Sequence, residues 1–316
     1  MTERPRYKVL QSDYDRAKLI LAREWERSRR LIDDRLKSVV TTLGDDGLPD
    51  VADFIAEGGK RFRGFLTIII ARALGGDEES AIDAAVAVEL VQAASLAIDD
   101  IIDKDKWRRG REAAWIRFGI ERTVLSSLLL IPIAQKIVEK LGFKALFHVI
   151  RAWESTVRGE IMDFVMARRL GPERYIKLVE LKTAALFRLA TLLGALAARA
   201  SDETLNAASE YGRLIGIIYQ VADDLADYTR AVREGRPLGP GEELFIRWAR
   251  SLDPENPLEA AKKFIREKLS EAVEAARALN PRDKDLALLL ELIPAFLIQK
   301  LLSEAGLDHD NIFHIL

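Results

Sequence analysis

Between residues 13 and 41, Leu19, Ile20, Trp25, Leu31, Ile32, Leu36 and Val39 recur near helical spacing with charges between them, which predicts an amphipathic helix. GDDGLPD, 44–50, predicts a loop through its Gly and Pro. A short helix comes next, then GGKRFRG (58–64) and an apolar run to Leu74. Gly75-Gly76 ends that run, and Asp77 to Ser80 opens a further helix. Residues 113–140 and 142–169 predict two more. Gly171-Pro172 separates the next element, with Pro172 suited to a first helical turn, and Ser201 fits an N-cap. After Tyr228 the period loosens. REGRPLGPGEEL (233–244) and DPENP (253–257) predict loops, and helices resume over 258–278 and 283–304, the last bent at Pro294. No strand alternation, linker or tandem repeat appears beyond one duplicated acidic motif. The pattern predicts an all-α protein forming a single domain over residues 1–316.

Composition narrows the classes. The chain is 49% hydrophobic, enough for a substantial core, and 31% charged. A net charge of -2 supplies no basic field, so nucleic acid is not an expected partner. Cysteine is absent, which excludes disulfides and thiolate metal sites. The polar start MTERPRYKVLQSDYDR is no signal peptide, and the apolar run near Val124–Ala134 is too short to span a bilayer. No transmembrane segment and a cytoplasmic location are the expectations.

The chemistry concentrates in Glu89 to Gly110, ELVQAASLAIDDIIDKDKWRRG. Asp99 and Asp103, four apart, share a helix face, with Asp100 beside them. Three carboxylates against an apolar segment are costly to assemble without cations. Oxygen-only donors suit Mg²⁺, which is commonly shared with substrate phosphates. Arg108 and Arg109 come after them, and guanidinium forks grip phosphate oxygens. With 50 acidic residues in 316, one such motif could be a solvated helix face. A second copy argues otherwise: Asp223, Asp224 and Asp227 repeat the spacing at the end of YGRLIGIIYQVADDLAD.

GGKRFRG places Lys60, Arg61 and Arg63 beside glycines that allow an anion close to the backbone; solvated cations at a helix start are the alternative. It lacks P-loop spacing. Lys182-Thr183 interrupts the apolar helix LKTAALFRLATLLGALAA, where the lysine could simply snorkel to the surface. Gln220 lies three residues before Asp223, facing either core or ligand. His148, His309 and His314 match no di-iron, zinc or Ser-His-Asp pattern.

Taken in order, GGKRFRG, the 89–110 stretch, WIRFG (115–119), KTAALF (182–187) and YGRLIGIIYQVADDLAD resemble the trans-isoprenyl diphosphate synthases, over about residues 55–230. The resemblance implies antiparallel helices around a deep central cavity, with both aspartate motifs facing each other across it. By motif position, Asp99, Asp100, Asp103, Asp223, Asp224 and Asp227 would bind Mg²⁺ and, through it, an allylic diphosphate that Arg108 and Lys182 also contact. Lys60, Arg63, Gln92 and Arg109 would hold isopentenyl diphosphate. Thr183 and Gln220 would stand near the developing allylic cation and leaving group. Homodimerisation is the family habit, and a hetero-oligomer is a further option.

In this family the residues four and five before the first aspartate form a floor under the growing chain. Here they are Ser95 and Ala94, with Val91 one turn deeper, all modest in size. The implied product is geranylgeranyl diphosphate or longer, such as farnesylgeranyl. Three departures stand out. The Gly-Lys step past the second motif is missing, with no lysine from 228 to 260, leaving Arg230, Arg233 or Arg236 to compensate. Ala113 replaces a usual proline, and the tail DNIFHIL lacks the basic end of some relatives. The implied activity is a Mg²⁺-dependent prenyltransferase. The alternatives are a weakly active or non-catalytic partner subunit and a class I terpene cyclase, which would not require Lys60, Arg63 and Arg109.

Overall fold

The computed structural model describes residues 11–43, 49–166 and 169–307. The start MTERPRYKVL, most of the 44–50 loop, His309, His314 and the DNIFHIL tail lie outside the described residues.

Helices run in the order α1 (Gln11–Thr41), α2 (Pro49–Ala56), α3 (Phe62–Ala73), α4 (Glu78–Ile102), α5 (Ala114–Phe118), α6 (Ile120–Val138), α7 (Phe143–Met166), α8 (Tyr175–Val179), α9 (Ala185–Ala197), α10 (Asp202–Glu234), α11 (Pro240–Leu252), α12 (Pro257–Ala278) and α13 (Lys284–Glu304). The caps behave as their chemistry dictates. Asp77 accepts from the Ser80 N–H to start α4, and Ser201 accepts from the Thr204 N–H to start α10.

Several details differ from the expectations. The helix predicted over 113–140 is cut at Gly119, whose φ of +87° no L-residue adopts comfortably. The second-motif helix runs on to Glu234 and ends at Gly235 in the left-handed region. Within the stretch predicted as loop, Pro240 opens α11, and the Glu242 carboxylate accepts from the Gly239 N–H at 2.7 Å. One short ribbon interrupts the helices: β1 (Trp107–Arg108) pairs antiparallel with β2 (Arg111–Glu112). Pro294 lies inside the single helical span of α13, as the sequence placed it.

α4 is the central rod. It packs against α6, α3, α9 and α1, while α10 packs against α9, α12 and α13. Both α4 and α13 are long and apolar enough to cross a bilayer. In α4 that character serves the core, since 83% of its apolar window is buried, against 50% in α13. The core is one contiguous cluster running from Ala17 in α1 to Leu302 in α13. Where α7 and α10 converge on the start of α9, the backbone takes a rare form. A π turn, Glu180–Ala184, joins α8 to α9. Gly159 of α7 and Gly216 of α10 press on it: a Cβ at Gly159 would lie 2.5 Å from Lys182 N, and one at Gly216 2.4 Å from Ala184 Cα.

Candidate active site

The first acidic motif stands at the C-terminal end of α4, with Asp103 as the cap residue. The β1–β2 ribbon turns at Arg109 and Gly110, both at positive φ (55° and 76°), the requirement of a type I′ turn. That turn sends the two arginines different ways. Arg108 folds back and donates through Nε to Asp100 Oδ1 at 2.7 Å. Arg109 donates to the Glu57 carbonyl at 2.6 Å and lies over Gly59, where a Cβ would come within 2.9 Å of its Cζ.

The GGKRFRG cations have separate fates. Arg61 is buried and donates to Asp33 Oδ1 at 2.7 Å and the Ala56 carbonyl at 2.6 Å, so it anchors the segment to α1 and α2. Glu89 of α4 anchors it from below by accepting from the Gly64 N–H at 2.8 Å. Arg63 instead lies 4.2 Å over the Phe187 ring, and its Nε is buried without a partner. Burial pushes its guanidinium pKa down.

On the opposite side, the π turn delivers Lys182 and Thr183. Lys182 Nζ lies 2.6 Å from Asp163 Oδ2 and 3.1 Å from Glu160 Oε1, both on α7. Despite burial, these carboxylates hold its pKa above the usual lysine value. It does not snorkel freely into solvent. Thr183 Oγ1 donates to Gln220 Oε1 at 2.7 Å, Gln220 Nε2 donates to Asp224 Oδ1 at 3.0 Å, and the Tyr175 hydroxyl donates to Asp224 Oδ2 at 2.5 Å.

These groups enclose a cavity of about 860 Å³, to which Lys60, Arg63, Gln92, Ser95, Asp99, Arg108, Arg109, Lys182, Thr183, Gln220 and Asp223 all contribute. Both motifs therefore open on one space, through Asp99 and Asp223. Their other members face elsewhere. Asp100 pairs with Arg108, Asp224 with Tyr175 and Gln220, and Asp227 with Arg230. Asp103 borders an adjoining opening with Asp163; Glu160 borders both spaces. Val91 and Ala94 are fully buried and do not line the cavity, whereas Ser95 does.

Crowded, poorly hydrated carboxyls resist ionisation here. Asp99 is pushed up to about 8 by burial and the neighbouring Glu160, against the pull of Lys182. Asp223 rises to about 6 by burial and by Asp227. Asp224 rises to about 7 by burial, its two hydrogen-bond donors opposing the shift.

Several lining residues had no sequence signal. Glu160 and Asp163 sit in α7 without a motif, and only the fold brings them to Lys182. Tyr219 forms part of the wall beside Phe187, ring centroids 5.7 Å apart. From α13, Ile293, Phe296, Leu297 and Lys300 close the side lined by Trp25. Arg236, a candidate for the missing lysine's role, binds Glu242 instead.

The donor set fits Mg²⁺. All the acidic donors are carboxylate oxygens, and Glu160 Oε2 is buried with no hydrogen-bond partner. Among the described residues, no three carboxylates converge tightly enough to hold an ion by themselves.

Carboxylates from two helices open on one cavity with cations around them, an arrangement suited to holding diphosphate groups through a divalent metal. Residues 47–239 match the family model described as polyprenyl synthetase. A hexaprenyl pyrophosphate synthase of Saccharolobus solfataricus is 33% identical over 286 residues, 90% of this chain and 97% of the relative. A geranylfarnesyl diphosphate synthase of Methanosarcina mazei is 27% identical over 83% of this chain and 90% of its own. Among solved structures, a geranylgeranyl pyrophosphate synthetase of Geoglobus acetivorans superposes with TM-score 0.74 at 26% identity, covering 87% of this chain and 99% of that one. The chain belongs to the polyprenyl synthetase family. It is a trans-prenyltransferase that builds linear polyprenyl diphosphates by condensation.

Proposed function

We propose that the chain, as one domain, condenses isopentenyl diphosphate with an allylic diphosphate in a Mg²⁺-dependent reaction, to a product of geranylgeranyl length or longer. The observation that carries this reading is the shared cavity of about 860 Å³, where Asp99 and Asp223 meet Lys182, Arg63 and an aromatic wall.

Asp99 and Asp223, with Asp100, Asp103, Asp224 and Asp227 nearby, are the residues that would hold Mg²⁺. The ion would neutralise the charge building on the departing diphosphate. Lys182 and Arg108 grip that diphosphate as the allylic carbon–oxygen bond breaks. Lys60, Arg63, Gln92 and Arg109 hold the second diphosphate; the bare Nε of Arg63 is a spare donor for that task. Thr183 and Gln220 place hydroxyl and amide dipoles beside the cation, and Phe62, Leu186 and Phe187 exclude water that would quench it. The alkene attacks the cation, and a proton then leaves to restore a double bond. Two diphosphate-binding cation groups, Lys182 with Arg108 and Lys60 with Arg63, favour two substrates over the single substrate of a cyclase.

A homodimer is part of the same proposal. Leu125 and Leu128 on α6 and Phe147, Ile150, Ile161 and Phe164 on α7 expose large apolar side chains. A face of that kind suits burial against a second copy.

The test is incorporation of radiolabelled isopentenyl diphosphate into farnesyl diphosphate by the purified chain alone with Mg²⁺, with phosphatase treatment and product sizing afterwards. Products of twenty carbons or more support the proposal. No incorporation without a second chain would point to a partner subunit.

A further inference from the structure

The outer face of the π turn borders a second, separate cavity of about 450 Å³ between α7, α9 and α10. Its floor is apolar, with Leu181, Ala184, Ala185, Leu189 and Leu192, and its rim is cationic. Arg151 and Arg158 share one carboxylate, Glu154, and Arg213 is held by Glu180 and Glu210. Among the described residues, Lys177 and Arg188 make no ion pair; Arg188 donates to Ser209 Oγ, at 2.6 Å. His148 stands on the same rim, where burial and the neighbouring Arg188 and Lys144 lower its pKa. Five Lys and Arg side chains against three glutamates, Glu154, Glu180 and Glu210, leave an excess of positive charge in a chain whose net charge is -2.

We propose that this groove binds a diphosphate group and lowers the enzyme's turnover when filled. An unpaired lysine and arginine with a shared guanidinium rim suit a compact polyanion. The site reports to the catalytic cavity through one backbone turn. Glu180, which Arg213 holds at 2.9 Å, begins the π turn, and Lys182 and Thr183 on its inner face line the catalytic cavity. An incoming diphosphate competes with Glu180 for Arg213, and releasing Glu180 loosens the turn that aims Lys182. Two reaction products carry the required group: free pyrophosphate, released at each condensation, and the prenyl diphosphate, whose tail the apolar floor also accommodates. The regulatory half of the inference rests on the proposed role of Lys182; the binding half does not.

Isothermal titration of Mg²⁺-free inorganic pyrophosphate, and separately of geranylgeranyl diphosphate, is run on three proteins: the native chain, Lys177→Gln/Arg188→Gln, and the cavity variant Lys60→Gln/Arg108→Gln. The expected result is one binding event that survives in the cavity variant and is weakened at least tenfold in the groove variant. Tighter binding of geranylgeranyl diphosphate than pyrophosphate at that event assigns the prenyl product as ligand; equal binding assigns pyrophosphate. Loss of all binding in the cavity variant, or unchanged binding in the groove variant, overturns the site. In turnover assays at saturating substrates, added pyrophosphate with matched free Mg²⁺ should lower kcat of the native chain but not of the groove variant. Equal inhibition of both would overturn the coupling while leaving the binding result to stand by itself.

Discussion

Gly216 of α10 meets Ala184 of the π turn so closely that a single added methyl would lie 2.4 Å from the Ala184 Cα. The obstacle is backbone, which cannot swing aside as a side-chain end would. Gly216→Ala should therefore cost about 1–3 kcal/mol through overpacking. It should also displace Lys182 and Thr183. Thermal unfolding checks the first effect, and a fall in kcat larger than the change in KM checks the second. A variant with native stability and native kcat would show that the helices part without consequence.

Arg230 ties up Asp227, a second-motif carboxylate. Arg230→Gln releases that oxygen for metal, so the Mg²⁺ concentration giving half-maximal activity should fall severalfold. The competing outcome is a rise in KM for the allylic substrate at saturating Mg²⁺, which would mean that Arg230 takes over the absent lysine's contact.

The raised carboxyl pKa values set a direction for pH. Asp99, Asp224 and Asp223, pushed up to about 8, 7 and 6, bind protons more tightly folded than unfolded. Without metal, their contribution to stability is greatest in mild acid and declines as pH rises from about 4, the ordinary carboxyl value, through those values. Mg²⁺ competes with the same protons, so its binding should tighten between pH 6 and 8 and release protons. The rise in unfolding temperature on adding Mg²⁺ should be larger at pH 8 than at pH 6. A pH-independent rise would remove these carboxyls from the metal site.

Ser95 and Ala94 separate two meanings of a small residue. Ser95 lines the cavity, so Ser95→Phe should shorten the product while leaving stability near native. Ala94 is fully buried, so Ala94→Phe must first overpack α4, at about 1–3 kcal/mol, before any effect on length appears. Product sizing beside thermal unfolding checks both. An unchanged product distribution in Ser95→Phe would exclude it from the floor.

Apolar periodicity was enough to predict α1, α3, α4, α10, α12 and α13, because their buried faces repeat over several turns. It failed where local chemistry overrode the pattern. Gly119 splits one apolar run, and α11 starts from a proline and a glutamate cap inside a Gly- and Pro-rich stretch. The site was legible in its motifs but not in the division of labour within them. Arg61 and Arg63 differ in no way that composition reveals, yet one is tied to Asp33 and the Ala56 carbonyl and the other lies over the Phe187 ring with its Nε unpartnered. Their separation depends on Arg61 taking a φ of +52°, a backbone state with no residue-type signature at arginine. Glu160, Asp163 and Lys300 belong to the site purely through tertiary proximity.

The five-residue coil at Glu180–Ala184 sets how insertions and deletions can be tolerated there. An α-helix advances about 100° per residue. Deleting one residue from that coil would let it relax to ordinary geometry and ease local crowding. Because a π turn carries one residue more than an α turn, the same deletion would leave Tyr175–Val179 and Ala185–Ala197 nearly in phase while moving Lys182 and Thr183 to new positions on the helix face. Length in this stretch is thus as constrained as any side chain in it, and a shortened chain could fold soundly while losing its aim.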